Sequence, residues 1–269
     1  MVLKNIKLEN IQTEGGKGIN TRDDGKISIS NSTFNNCHFE DGIFEIDSKG
    51  NKGIIYNIKN SNFYNNTSIN GSILNIKYYE YNLNDRISFN NSLFENNSAT
   101  NFGGVVYSNS PNTNQLVFFE DCIFNNNTAG NGNISYSLSQ SSEPNFSNIK
   151  HLQEMNALST NPTKVLLDGQ YNVSIFSGEK IPDNISCKLY DDYNNVIKFD
   201  SDIGNFDINN LVSFQIENVD EYNVELFGQT KSYCWEDKCP FPPIKVVGNP
   251  GIRTIRLNIK TFGKFYIFK

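Results

Sequence analysis

Ser92-Leu93-Phe94-Glu95-Asn96-Asn97 and the Gly103-Gly104-Val105-Val106-Tyr107 that follows it form one row of a repeat running through the first half of the chain. The preceding row reads Ile55-Tyr56-Asn57-Ile58, Ser61-Asn62-Phe63-Tyr64-Asn65-Asn66 and Gly71-Ser72-Ile73-Leu74-Asn75-Ile76. The row before that is Ile27-Ser28-Ile29, Asn31-Ser32-Thr33-Phe34 and Gly42-Ile43-Phe44-Glu45-Ile46. The third row opens on Ile87-Ser88-Phe89, and a fourth gives Val117-Phe118-Phe119, Cys122-Ile123-Phe124-Asn125-Asn126-Asn127 and Gly132-Asn133-Ile134-Ser135-Tyr136. Phe34, Phe63, Phe94 and Phe124 are 29, 31 and 30 residues apart, and a glycine follows each by eight or nine. Self-similarity at a period of roughly 20 to 50 residues is the mark of stacked architectures.

Each row holds three short apolar runs with local alternation, separated by Asn, Ser and Gly, which is the pattern of strands and turns. One row is then one coil of a parallel β-helix, each strand pairing with its equivalent about 4.8 Å away in the next coil. Phe34, Phe63, Phe94 and Phe124 are expected to stack in one internal column. Asn66, Asn97 and Asn127, each three residues after its Phe, are expected to form a hydrogen-bonded ladder, because Asn tolerates left-handed corners and can bond along a row of its own kind. Cys37 stands where the first row would need Asn. Residues 1 to 26, with Ile6-Lys7-Leu8 and Gly15-Gly16, read as a degenerate extra coil, so the β-helix is expected over 1–137.

The composition points the same way. Among 269 residues, 20 Phe, 13 Tyr and 44 Asn stand against 2 Met and 1 Trp, with 37% apolar and 19% charged. That mixture is rich in strand formers and poor in helix formers, so the expected fold class is all-β. With a net charge of −6 and no Lys/Arg cluster interleaved with aromatics, the electrostatic footprint of nucleic-acid binding is missing. No apolar run approaches the roughly 18 residues of a membrane span, and the first residues lack the apolar core of a secretory leader, so the chain reads as a segment of a longer one. Eleven Asn-x-Ser/Thr tripeptides begin at Asn31, Asn65, Asn66, Asn70, Asn90, Asn96, Asn126, Asn133, Asn145, Asn172 and Asn184. These N-glycan acceptor motifs favour an extracellular setting.

The Phe-x-x-Asn and Gly-Gly-hydrophobic-hydrophobic pair, complete as Phe94-Glu95-Asn96-Asn97 and Gly103-Gly104-Val105-Val106, resembles the repeat of right-handed β-helix surface proteins such as the polymorphic outer-membrane proteins. The likeness covers residues 27 to 137 and implies a right-handed coil; the other three rows keep a single Gly. The Leu-x-x-Leu-x-Leu spacing of leucine-rich repeats is absent.

Asn falls from about one residue in five before position 150 to about one in nine after it, and the Phe-to-Gly spacing does not recur, which marks a change of domain. Residues 138–163, with a short helix expected from Ile149 to Met155, read either as a cap on the open end of the solenoid or as a linker. From Lys164 the text is alternating strands, including Val165-Leu166-Leu167, Ser186-Cys187-Lys188-Leu189-Tyr190, Leu211-Val212-Ser213-Phe214-Gln215-Ile216 and Thr254-Ile255-Arg256-Leu257-Asn258-Ile259. Seven or eight strands in that span suggest an immunoglobulin-like sandwich over 164–269. An Asn-rich β-helix followed by such a sandwich resembles the repeat units of the scaffoldins of anaerobic gut fungi. That resemblance implies a secreted, cohesin-like unit that binds the dockerin modules of cellulosomal enzymes, and it transfers no individual binding residue.

Catalytic chemistry has little to draw on. His38 and His151 fall in different domains, which leaves a histidine triad or zinc site without partners. The carboxylates of the repeats (Glu40, Asp41, Glu45, Asp47, Asp85, Glu95, Glu120 and Asp121) scatter over row positions, although Glu120 and Asp121 invite a search for a partner. Asp200-Ser201-Asp202-Ile203-Gly204-Asn205-Phe206-Asp207 alternates oxygen ligands as calcium loops do, without the later bidentate Glu. No cofactor or metal is expected. Cys234-Trp235-Glu236-Asp237-Lys238-Cys239 puts two thiols at a separation a hairpin can close, which favours a Cys234–Cys239 disulfide. Trp235 is then either a core residue or an exposed interface anchor, and Tyr233 sits beside it. Lys77-Tyr78-Tyr79-Glu80-Tyr81-Asn82-Leu83-Asn84-Asp85 lengthens its row, and insertions in solenoids collect on one face and often bind; loop packing is the alternative for its tyrosines. The expected function is a non-catalytic extracellular protein-docking module with Trp235, Tyr233, Tyr78, Tyr79 and Tyr81 as partner-binding residues. The alternative is a carbohydrate-binding or adhesive surface module.

Overall fold

The computed structural model describes residues 1–13, 15–20, 25–48, 53–169, 172–183, 185–199 and 212–261. The chain divides into two units, Met1–Asn161 and Pro162–Lys269.

The first unit is a parallel β-solenoid. Its first sheet stacks six strands, Val2–Lys4, Lys26–Ser30, Ile55–Lys59, Arg86–Asn90, Val117–Glu120 and Asn145–Phe146. The second stacks five, Lys7–Glu9, Thr33–Asn35, Asn62–Tyr64, Leu93–Glu95 and Ile123–Asn125, and the fourth stacks six from Ile19–Asn20 to Leu158–Thr160. Between the second and fourth runs a third, three-stranded sheet, Thr67–Asn70, Ser98–Phe102 and Thr128–Asn131. The three-strand coil expected from sequence therefore gains a fourth short strand. Its residues are largely polar, so the sequence pattern shows them as a separator.

In the first and second sheets every rung keeps its register, which places equivalent side chains in columns. Leu8, Phe34, Phe63, Phe94 and Phe124 face one another on the second sheet. The phenylalanine rings stack at 5.0 Å between centroids at each step, with interplanar angles of 9°, 2° and 12°. A second column on the first sheet runs Ile29, Ile58, Phe89, Phe119, Phe146. Its rings stack at 4.8 and 4.9 Å and meet the first column edge-to-face, as in Phe89–Phe94 at 5.6 Å and 70° and Phe94–Phe119 at 5.6 Å and 72°. Both offset stacking and T-shaped contact suit the ring quadrupole, so the core is a herringbone rather than a single pile.

Asparagine has two distinct jobs. Asn31, Asn60 and Asn91 lie at the corner between first and second sheets, and Asn36, Asn65, Asn96 and Asn126 at the corner after the second; all have φ between 47° and 55°. Asn enters that left-handed region more readily than other residues with a side chain. The residues next in line turn inward instead. Asn66 and Asn97, both fully buried, each donate from Nδ2 to the Oδ1 of the ladder Asn one coil on, at 2.9 and 3.0 Å, and to Phe34 O and Phe63 O one coil back. Each ladder Oδ1 also accepts the backbone N–H of its predecessor: Cys37 to Asn66, Asn66 to Asn97 and Asn97 to Asn127. Ser32 and Ser61 are held in a parallel ladder at the first corner, their N–H groups bonding Ser61 Oγ and Ser92 Oγ at 3.3 Å. Cys37 takes the place of the ladder Asn in its row and Cys122 that of the ladder Ser in its own, and both are free thiols. The third corner is glycine: a Cβ on Gly103 (φ 63°) would lie 2.0 Å from Val106 O.

After Asn145–Phe146 the chain forms the helix Ile149–Glu154, which takes the place of further second- and third-sheet strands, and then rejoins the stack as Leu158–Thr160. Residues 138–160 thus contribute a rung to the solenoid.

The second unit pairs its strands antiparallel. Lys164–Asp168, Ser186–Tyr190 and Cys239–Pro240 form one sheet; Lys231–Tyr233, Val212–Asn218 and Ile255–Thr261 a second; Val224–Gly228 and Ile244–Gly248 a third. A sandwich has two sheets, whereas the described residues distribute over three, because alternation identifies strands without fixing their partners.

Candidate functional site

Two aromatics of the second unit, Tyr233 and Trp235, share one hairpin, while Phe176, Tyr222 and Phe227 are exposed outside it. Lys231–Tyr233 belongs to one sheet and Cys239–Pro240 to another, so the turn between them is where the chain changes sheets. Trp235 N–H donates to Lys238 O at 2.8 Å, Lys238 N–H returns to Trp235 O at 3.1 Å, and Glu236 takes φ 54° at the tip. The Cys234–Cys239 disulfide closes the base, with Cα atoms 4.0 Å apart and both cysteines buried. Tyr233 is 51% exposed and Trp235 half-buried, their ring centroids 6.4 Å apart. Beside them Lys188 pairs with Asp237 at 3.2 Å and Asp168 at 3.9 Å. The Asp237 carboxylate holds the Lys188 ammonium above its ordinary value, and Lys188 holds Asp237 below the usual carboxylate range. In the open solvent of that surface the pair orients the turn more than it stabilises it.

Cys187 lies directly opposite Cys239 in the strand pairing and is free and fully buried. Burial pushes its thiol up to about 12, and that of Cys122 up to about 11, so neither supplies thiolate at neutral pH. Non-reducing peptide mapping should recover Cys234 linked to Cys239, and a thiol reagent should find Cys37, Cys122 and Cys187 only after unfolding. Removing the disulfide by double Ser substitution should cost about 2 kcal/mol, the chain-entropy value for so short a loop. Native-state labelling of Cys187, or a free Cys239, would contradict this arrangement.

In the first unit the tyrosine insertion splits. Tyr78 is 40% and Tyr81 49% exposed, and the Tyr78 hydroxyl donates to Glu80. Tyr79 is only 3% exposed, accepts the Asn82 N–H at 3.0 Å, and has its phenol pushed up to about 12 by burial. Tyr79 is therefore not available to a partner. The register shift between Ile76 and Tyr78 turns Tyr78 outward and its neighbour in.

One charged cluster has no local sequence signal. Glu45, fully buried at its side chain, meets Lys17 and Lys77 at 3.1 Å, and Lys77 meets Asp41 at 2.6 Å. Burial alone would raise Glu45, but hydrogen bonds from Lys77, Lys17 and Asn20 outweigh it and hold the carboxyl below its usual range. Burial would likewise lower Lys77, and its bonds to Asp41 and Glu45 hold it above instead. Groups held this firmly ionised are poorly matched to proton transfer near neutrality. Only the coil repeat, which separates Glu45 from Lys77 by 32 residues, could have paired them. Glu120 finds its partner in Arg86 at 3.0 Å, whose guanidinium also lies 3.8 Å over the Phe118 ring, while Asp121 replaces Asn at a left-handed corner. Asp202, Asp207 and the rest of the calcium-like loop lie outside the described residues, among which no group of three or more His, Cys, Asp or Glu could hold a metal ion. No helix among them is long and apolar enough to cross a membrane.

No protein-family model, curated protein or solved structure matches this chain.

Proposed function

We propose that the chain is a non-catalytic, extracellular docking module of a larger scaffold protein, with Trp235 and Tyr233 as its binding anchors and an immunoglobulin-like second unit. The observation that carries this is the aromatic pair held on a hairpin closed at its base by a disulfide. Rigid Trp and Tyr side chains give contact area with little ordering cost, and interface hot spots are enriched in both. A structural disulfide and the many acceptor tripeptides suit an oxidising, secretory setting. The likeness to gut fungal scaffoldin repeats gives the partner class, the dockerin-type modules of cellulosomal enzymes.

A pull-down from a secretome rich in dockerin-bearing enzymes, followed by calorimetric titration, tests the proposal. Trp235→Ala should lower affinity by at least about 2 kcal/mol, close to thirtyfold. Tyr78→Ala with Tyr81→Ala should change it by a few tenths of a kcal/mol. Capture of cellulose or pectic polysaccharide without protein would replace the partner class with carbohydrate. Unchanged affinity in Trp235→Ala would remove the hairpin from the site.

A further inference from the structure

The solenoid sorts its glycan acceptor motifs by the job each asparagine does. Asn31, Asn65, Asn96 and Asn126 are exposed, lie at left-handed corners with φ of 51°, 53°, 55° and 51°, and each begins an Asn-x-Ser/Thr tripeptide. The last three fall in a single file along the edge between the second and third sheets. Asn65 uses one amide hydrogen on Asn35 Oδ1 at 3.0 Å, which leaves the other for substitution. Asn66 begins an equally valid tripeptide, Asn66-Thr67-Ser68, but is fully buried. Both of its Nδ2 hydrogens are committed, to Phe34 O at 3.1 Å and Asn97 Oδ1 at 2.9 Å, and its Oδ1 accepts Cys37 N–H.

We infer that Asn31, Asn65, Asn96 and Asn126 are N-glycosylation sites and that Asn66 is an acceptor motif the fold forbids. The co-substrate is a polyprenyl-diphosphate oligosaccharide. The asparagine Nδ2 bonds to C1 of the first sugar, the C1–O bond to the diphosphate breaks, and one amide proton leaves with the lipid diphosphate. At the corner Asn residues the new N–C1 bond points into solvent-accessible space, and the remaining hydrogen still serves the Asn65–Asn35 contact. At Asn66 the same substitution deletes a ladder bond and places a sugar inside a close-packed coil, where interiors hold no space of that size. A chain modified at Asn66 cannot complete the coil that carries it. Sugars along one edge also reserve that edge, which directs partners of the solenoid to its other faces.

Occupation in the native organism rests on the extracellular reading above, so the test supplies its own secretory route. The full chain, carrying an added leader, is secreted from a glycosylating eukaryotic host, and its glycopeptides are mapped by mass spectrometry. Sugar at the four corner residues with bare Asn66 is the expected result. An Asn65→Gln variant, which leaves Asn66 as the acceptor of that pair, should still be secreted without sugar on Asn66. Sugar on Asn66 in folded, secreted protein overturns the assignment, as do four bare corners. Native protein lacking sugar, alongside occupied corners in the host, would reject the extracellular reading and leave the site assignment intact.

Discussion

Phe94→Ala should cost the first unit about 3 to 5 kcal/mol, the range for a buried phenylalanine replaced by alanine. Phe94 has no exposed surface and is boxed by four rings: Phe63 and Phe124 stacked at 5.0 Å, Phe89 and Phe119 edge-on at 5.6 Å. Truncation leaves a cavity whose walls are held by strand pairing on both sides, so it cannot collapse. Domains are stable by only about 5 to 15 kcal/mol, so the variant spends a large fraction of that margin. In urea, a slope of about 2 kcal/mol/M turns the loss into a midpoint roughly 2 M lower with the slope unchanged. Phe124→Ala, near the end of the same column and 7% exposed, should lose less. Equal losses at the two positions would mean that the columns do not carry the core.

Asn97→Ala should be comparably severe for a different reason. Asn97 donates to Phe63 O and Asn127 Oδ1, and its own Oδ1 accepts both Asn66 N–H and Asn66 Nδ2–H. Truncation strands at least two buried groups, each at about 1 to 3 kcal/mol, for a total of about 2 to 6 kcal/mol. Asn97→Asp discriminates polarity from shape. Its carboxylate would face Phe63 O and Asn127 Oδ1, acceptor against acceptor, and must take a proton to donate at all. Its folded pKa therefore rises above the unfolded value of about 3.9. The variant should be most stable below that value and lose stability as pH rises through the folded pKa. Thermal melts across pH 3 to 7 would read this, and a flat profile in Asn97→Asp would show that the ladder amide is not working as a donor.

The solenoid was legible because its period is written in large, unambiguous residues: a Phe, an Asn three later and a Gly eight or nine later cannot recur by coil without stacking. The second ring column was less visible, since Ile29 and Ile58 occupy it before Phe89, Phe119 and Phe146 take over, and a mixed column has no letter to count. Neighbouring asparagines such as Asn65 and Asn66 look alike in sequence yet do opposite work, because one left-handed residue is what swings the next side chain inward. Tyr79 was unreadable for a related reason: a one-residue bulge reverses the facing of everything after it. In the second unit, alternation announced strands, but partner choice depends on contacts far apart in the chain. The aromatic hairpin could be located by its cysteine spacing, whereas the Glu45–Lys77–Asp41 network depends on lateral neighbours one coil apart.

Because each coil touches only the coils before and after it, the solenoid behaves as a row of coupled interfaces rather than as one indivisible core. The coil that begins at Val2–Lys4 brings Leu8, not a ring, to the phenylalanine column. Amide hydrogens there, where the contact with the next coil lacks a stacked ring pair, should exchange with solvent sooner than those flanking Phe63 and Phe94, which should wait for the whole row to open.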